Sequence, residues 1–356
     1  MKEDLYRQLQ ERLDMYSVGF PATDSGIEIT ILKRMFSEED ARLFLSLTPM
    51  LEAPESVAAR LGKPVDETAA HLENMAGRGL LFRVKKGNAV KYGAIPFVHG
   101  LFEFQVSRLD KDFAKLVERY FDGDFYKTMA QNAGGFLRTV PIQHSIKTAQ
   151  NIAAYEDAVE ILRKQKTIVI TDCICRKLRN TTDMGCGKLL EACFMFGSMA
   201  QYYIDHDMGR EIQLDEAVAI LTRAQEEGLV TQPATSQNPA GMCNCCGDCC
   251  GVLKSLNMFP SPADLVFSNY YAEVDPEACV GCEACLDRCQ MAALSMTDTE
   301  KAAVNLARCI GCGLCVTTCP GDAIRLASKP EKSRKIPPAT STEQMLALAG
   351  KRGIRF

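Results

Sequence analysis

The sequence predicts an α+β chain of several domains, and three observations predict it. The first hundred or so residues carry a helix, helix, helix, hairpin pattern. The middle alternates strand-like and helical runs and holds nine of the 17 cysteines. The other eight cysteines lie near the C-terminus in two copies of one spacing, C-x2-C-x2-C-x3-C. At 356 residues and 47% hydrophobic content, the chain can fill two or three separate cores.

Apolar residues recur at helical spacing over residues 27–47, and a short helix over 54–61, a turn at Gly62 to Pro64 and a third helix over 66–77 follow. The runs 80–84 and 89–94 flank Lys85, Lys86, Gly87 and Asn88, a turn-rich stretch suited to a hairpin loop. In this order residues 1–107 resemble a winged-helix domain, and the resemblance implies a third helix shaped to enter a DNA major groove. The charges argue against that use. Residues 1–107 hold 13 Lys plus Arg against 15 Asp plus Glu, and the third helix carries Asp66, Glu67 and Glu73. Only Arg78, Lys85 and Lys86 form a local basic patch, so a scaffold or protein-docking role fits better than DNA binding.

Residues 108–136 read as a helical linker, with a helix over 109–121 and a flexible pair at Gly134 and Gly135. Residues 137–268 read as a small cysteine-rich α/β domain, with strands over 136–142 and 167–171 and helices over 155–165, 189–205 and 214–227. Cys173 and Cys175 follow a strand, and residues two apart on an extended chain point the same way. Arg176 places a fixed positive charge beside them, where it favours thiolate. Cys186 lies in a loop between two glycines and Cys193 seven residues on, so these four converge on one metal or cluster site in this reading. The alternative for Cys193 is ordinary core packing.

The densest run holds Cys243, Cys245, Cys246, Cys249 and Cys250 within eight residues, too many thiols for packing alone. Its C-x2-C and C-x3-C pairs suit zinc or an additional 4Fe-4S cluster equally. Nine cysteines fit two further four-ligand sites with one thiol over, or one site plus a reactive dithiol. His71, His99, His144 and His206 form no spaced pair with the cysteines and read as ordinary surface or core histidines.

In the C-terminal duplication every cysteine maps onto its counterpart by a shift of 30 residues: Cys279, Cys282, Cys285 and Cys289 onto Cys309, Cys312, Cys315 and Cys319. Val274, Val280, Gly281 and Ala293 match Val304, Ile310, Gly311 and Ala323. Residues 269–327 resemble a bacterial-type 2×4Fe-4S ferredoxin domain, in which the fourth cysteine of each run ligates the other run's cluster. The resemblance implies two 4Fe-4S clusters, one on Cys279, Cys282, Cys285 and Cys319 and the other on Cys309, Cys312, Cys315 and Cys289. Pro320 follows Cys319 as in the family, whereas Gln290 follows Cys289, so the rigidity of that turn is not carried over. Residues 328–356 form a basic tail, seven Lys plus Arg against two Asp plus Glu, expected to be a flexible terminus.

The formal charge of −4, made more negative by about two charges per ligated cluster, argues against generic nucleic-acid affinity. No apolar run reaches membrane-spanning length, and the charged start lacks the apolar core of a signal peptide. Seventeen cysteines then imply a reducing cytoplasm, and oxygen-sensitive clusters an anaerobic host. No Walker loop, dinucleotide fingerprint or nucleophile elbow is present. The expected function is iron-sulfur electron transfer with a redox partner protein. The alternatives are an iron-sulfur redox enzyme with its active site among the middle cysteines, and a redox-responsive winged-helix regulator.

Overall fold

The computed structural model describes residues 4–142, 145 and 153–355; His144 lies outside the described residues. Periodicity predicts one helix over 27–47, but two form, Ile27–Met35 and Glu38–Ser46. Ser37 and Asp40 exchange reciprocal backbone hydrogen bonds in a capping box, which starts a new helix where the apolar pattern runs on unbroken. Helices Pro54–Leu61 and Val65–Gly77 follow, then the antiparallel hairpin of β1 (Phe82–Lys86) and β2 (Ala89–Gly93). Burial tends to raise the Asp40 carboxyl, yet hydrogen bonds from Arg78, His71 and Ser37 hold it well below the usual carboxylate range. Arg78 of the basic patch is thus neutralised within the chain.

Helices Lys111–Tyr120 and Tyr126–Phe136 contribute Phe113, Val117, Tyr120, Met129 and Phe136 to a core shared with the N-terminal helices. Beyond them, β3 (Ile168–Asp172), β4 (Glu191–Phe196), β5 (Arg210–Ile212), β6 (Val230–Pro233) and β7 (Gly241–Cys245) form an antiparallel sheet in the order β5-β3-β4-β7-β6. The expected helix over 189–205 is therefore wrong in its first half. Residues 191–196 gain two ladder partners, β3 and β7, and a helix begins only at Gly197, whose φ of 55° breaks the strand. An apolar run this short does not distinguish strand from helix by periodicity. The strand expected over 136–142 reduces to bridges from Leu137 to Ala234 and Arg138 to Phe267. The helix expected over 155–165 is a 3-10 turn, Ala154–Glu156, and a short helix, Ala158–Arg163. Ile168, Ile170, Phe194, Phe196 and Met242 face helices Ala158–Arg163 and Leu214–Glu226 in one cluster, and Val169 and Met195 face the main core on the other side.

The C-terminal region repeats itself structurally. Strands β8 (Tyr270–Val274), β9 (Leu294–Met296), β10 (Ala302–Val304) and β11 (Ile324–Ser328) pair as β8 with β11 and β9 with β10. The tail is not loose. Helix Ser341–Lys351 buries Leu348 and Ala349, and the Gln344 amide donates to the carbonyls of Gly135 and Phe136 at 3.1 and 2.8 Å. Leu348 and Ala349, with half-buried Met345, supply the buried face that the polar composition masks, whereas Leu346 is exposed. Among the described residues no helix is long and apolar enough to cross a membrane.

Candidate metal centres

Strand register builds the first site. Cys193 on β4 lies opposite Cys243 on β7, and Cys245, two residues on, shares that face. Cys173 is the N-cap of helix Ile174–Thr181 at the end of β3, and Cys250 is the N-cap of helix Gly251–Asn257. The thiols interact pairwise in sequence: Cys173 with Cys175 and Cys193, Cys193 with Cys243, Cys243 with Cys245, Cys245 with Cys250, and Cys250 with Cys175. A closed ring of six sulfurs results. Hydrogen bonding from Cys175 and Cys193 pulls Cys173 down, and Cys243 and Cys250 bring Cys245 to about 7. Proton sharing with Cys173 pushes Cys175 and Cys193 up.

Arg176 is 1% exposed and donates one Nη1 bond, 2.9 Å, to the Asn244 carbonyl. Its Nε and Nη2 have no hydrogen-bond partner among the described residues. Burial disfavours its charge, and Cys173, Cys193, Cys245 and Cys246 favour it.

Three residues missed by sequence reasoning adjoin the ring. His99, read as ordinary, is held at φ 57° with Nε2 3.8 Å from the Cys243 sulfur and its ring against Phe136. Burial lowers it to about 4. Glu103 accepts from the Gly100 N–H at 2.9 Å, and burial raises its carboxyl to about 7. Tyr203, raised by burial, stands by Glu103, Cys193 and Cys243. No local pattern marks them, because a left-handed turn and a distant helix assemble the trio.

Cys186, expected beside Cys173, Cys175 and Cys193, sits instead against Cys246 and Cys249. These three sulfurs all lie within 4.8 Å of one another, Cys186 and Cys246 at 3.7 Å. A tetrahedral ion with metal-sulfur bonds of about 2.3 Å has ligand edges of about 3.8 Å, so the triad has the spacing of a single ion. Nine thiols therefore divide as six and three.

In the C-terminal repeat Cys279, Cys282, Cys285 and Cys319 line one cleft. Cys312, Cys309 and Cys289 face Cys315. Backbone N–H groups reach sulfur in symmetric pairs: Ala302 to Cys279 and Ala272 to Cys309 at 3.4 Å, Ala293 to Cys289 and Ala323 to Cys319 at 3.2 Å. Gly281 and Gly311, at φ 70° and 69°, make the close backbone turns. Such donors stabilise thiolate and tune a bound cluster, so these residues fit a pair of 4Fe-4S groups. Gln290 leaves the turn intact: Cys289 has φ −81° and ψ 106°, Cys319 −80° and 107°. Its carboxamide oxygen accepts from the Gly247 N–H at 2.6 Å, beside Cys246 of the triad.

Eight cysteines in two interleaved groups of four define an iron-sulfur dicluster module. The comparison with family models agrees: residues 272–326 match a 4Fe-4S dicluster domain, and the chain carries that domain near its C-terminus. No curated protein and no solved structure matches the chain.

Proposed function

We propose that the chain is an electron-transfer protein whose dicluster domain exchanges electrons with a redox partner and relays them to metal sites among the middle cysteines. Cys279, Cys282, Cys285 and Cys319 would hold one cluster, and Cys309, Cys312, Cys315 and Cys289 the other. Each bound cluster supplies a one-electron carrier. The observation that carries the reading is the convergence of Cys319 from one repeat on Cys279, Cys282 and Cys285 of the other. Direction is supported by exposure: Cys282 is exposed, whereas its counterpart Cys312 is half-buried and pushed up to about 12 by burial. The hydrogen bond from Gly247 to Gln290 joins the Cys289 turn to the triad and offers a short covalent and hydrogen-bonded route inward.

Anaerobic reconstitution followed by iron analysis and EPR tests this reading. The expected result is at least about eight irons per chain and reduced-cluster signals that interact magnetically. Fewer than about eight sinks it.

A redox-enzyme reading draws on His99, Glu103 and Tyr203 beside the six-cysteine ring, since protonatable groups next to a cluster suit coupled proton and electron transfer. A spectral change at the ring on adding a small oxidised substrate would support it; inertness to every candidate would remove it. The regulator reading is weakened because Arg78 pairs with Asp40, and Arg83 with Glu73 and Asp205.

A further inference from the structure

We propose that Cys173, Cys175, Cys193, Cys243, Cys245 and Cys250 together hold one polynuclear iron-sulfur cluster, separate from a single-ion site on Cys186, Cys246 and Cys249. The proposal rests on the iron-sulfur reading above and adds the partition and the nuclearity. Two independent observations carry it.

The first is spacing. Among the described residues, the triad is the one group of three or more His, Cys, Asp or Glu whose ligand atoms all lie within 4.8 Å of one another. The ring thiols interact neighbour to neighbour, yet no three of them have sulfurs all within 4.8 Å of one another. A tetrahedral zinc needs thiolates about 3.8 Å apart on every edge. Six thiols that interact around a ring without converging on one point suit an inorganic core in which several irons each take a thiolate.

The second is charge. Arg176 is buried within electrostatic reach of Cys173, Cys193 and Cys245 of the ring and of Cys246 of the triad. Two of its nitrogens have no hydrogen-bond partner among the described residues. A buried guanidinium left half-satisfied is strongly unfavourable unless anionic acceptors face it, and thiolate or inorganic sulfur of a cluster meets that need. One arginine does not offset six thiolates, but a core of several iron ions does.

The test uses the full chain, reconstituted anaerobically with ferrous iron and sulfide. Iron, acid-labile sulfide and zinc are counted, and Mössbauer and EPR spectra recorded, for the wild type and for Cys175→Ser, Cys243→Ser, Cys186→Ser and Cys282→Ser. The wild type is expected to hold about four or more irons beyond the eight of the dicluster domain. Cys175→Ser and Cys243→Ser should lose that excess while keeping the dicluster EPR signals, which also report that the chain has folded. Cys186→Ser should keep the excess. Arg176→Lys should retain more of it than Arg176→Met, because lysine preserves the charge. A wild type that stops at about eight irons with intact dicluster signals overturns the proposal, as does zinc or disulfide accounting for the ring thiols. If Cys282→Ser leaves every dicluster signal unchanged, the electron-transfer reading fails instead, whatever the ring contains.

Discussion

The two cysteine repeats of the dicluster domain have nearly the same backbone and opposite surroundings. Their glycines, N–H to sulfur bonds and strand pairings superpose by a shift of 30 residues. Yet Val280 is 68% exposed and its counterpart Ile310 is 2% exposed. Ile310 and Leu314 belong to the main core, and the Ile142 N–H donates to the Cys312 carbonyl at 3.0 Å. Ligand geometry is thus set locally by the repeat, whereas solvent access is set by what the rest of the chain covers. One half faces solvent and the other faces the core.

The largest difference should follow substitution of the paired glycines. At Gly311 an added Cβ would stand 2.3 Å from the Tyr270 carbonyl oxygen, on a strand locked to β11. At Gly281 it would meet the Glu300 carbonyl at 2.7 Å, in an exposed turn that can shift. Both carry the left-handed penalty of about 1–2 kcal/mol. Gly311→Ala should add a clash for a total of about 3–5 kcal/mol and lose iron from the inner site, against about 2 kcal/mol for Gly281→Ala. Denaturant melts of the holoprotein with iron counts would check this, and equal effects would break the comparison.

Next in size are the paired apolar residues. Ile310→Ala should cost about 2–4 kcal/mol through the cavity it leaves, whereas Val280→Ala should stay within about 0.5 kcal/mol. Chelator challenge separates the halves more gently. With Cys282 and Val280 exposed and their counterparts Cys312 half-buried and Ile310 buried, a bathophenanthroline time course should be biphasic. The outer half of the dicluster iron should leave roughly tenfold faster, equivalent to about 1.4 kcal/mol of barrier. A single phase would show that burial does not protect the inner cluster.

The same contrast explains what the sequence reveals. Seven-residue ligand turns are local, so the dicluster spacing is legible without any tertiary knowledge. The six-cysteine ring is not, because Cys193 meets Cys243 only through strand register, and an apolar run with Cys193 inside it reads as helix. Cys186 was grouped with its sequence neighbours although a loop carries it to Cys246. His99 gives no signal at all, since its place depends on a left-handed residue and a strand 144 positions away. Helix starts at Pro54 and Leu214 were readable from periodicity, whereas the break at Ser37 required recognising a cap inside a continuous apolar pattern.

Gln290 is where the repeats differ in chemistry without differing in conformation, and it gives the smallest and most specific effect. Pro320 occupies its place in the other copy, and the matching dihedrals at Cys289 and Cys319 mean that Gln290→Pro introduces no new backbone shape. The Asn257 bond to the Gln290 carbonyl, 2.9 Å, survives the change, and only the carboxamide bond from Gly247 is lost. Stability should fall by about 1 kcal/mol, the worth of one hydrogen bond. EPR signals of the dicluster domain should stay as they are. What should change is reduction of the middle sites by dithionite-reduced dicluster iron in stopped flow, which slows if the Cys289 to Gly247 contact is the route. An unchanged rate would mean that electrons cross elsewhere and that Gln290 only fastens the two regions together.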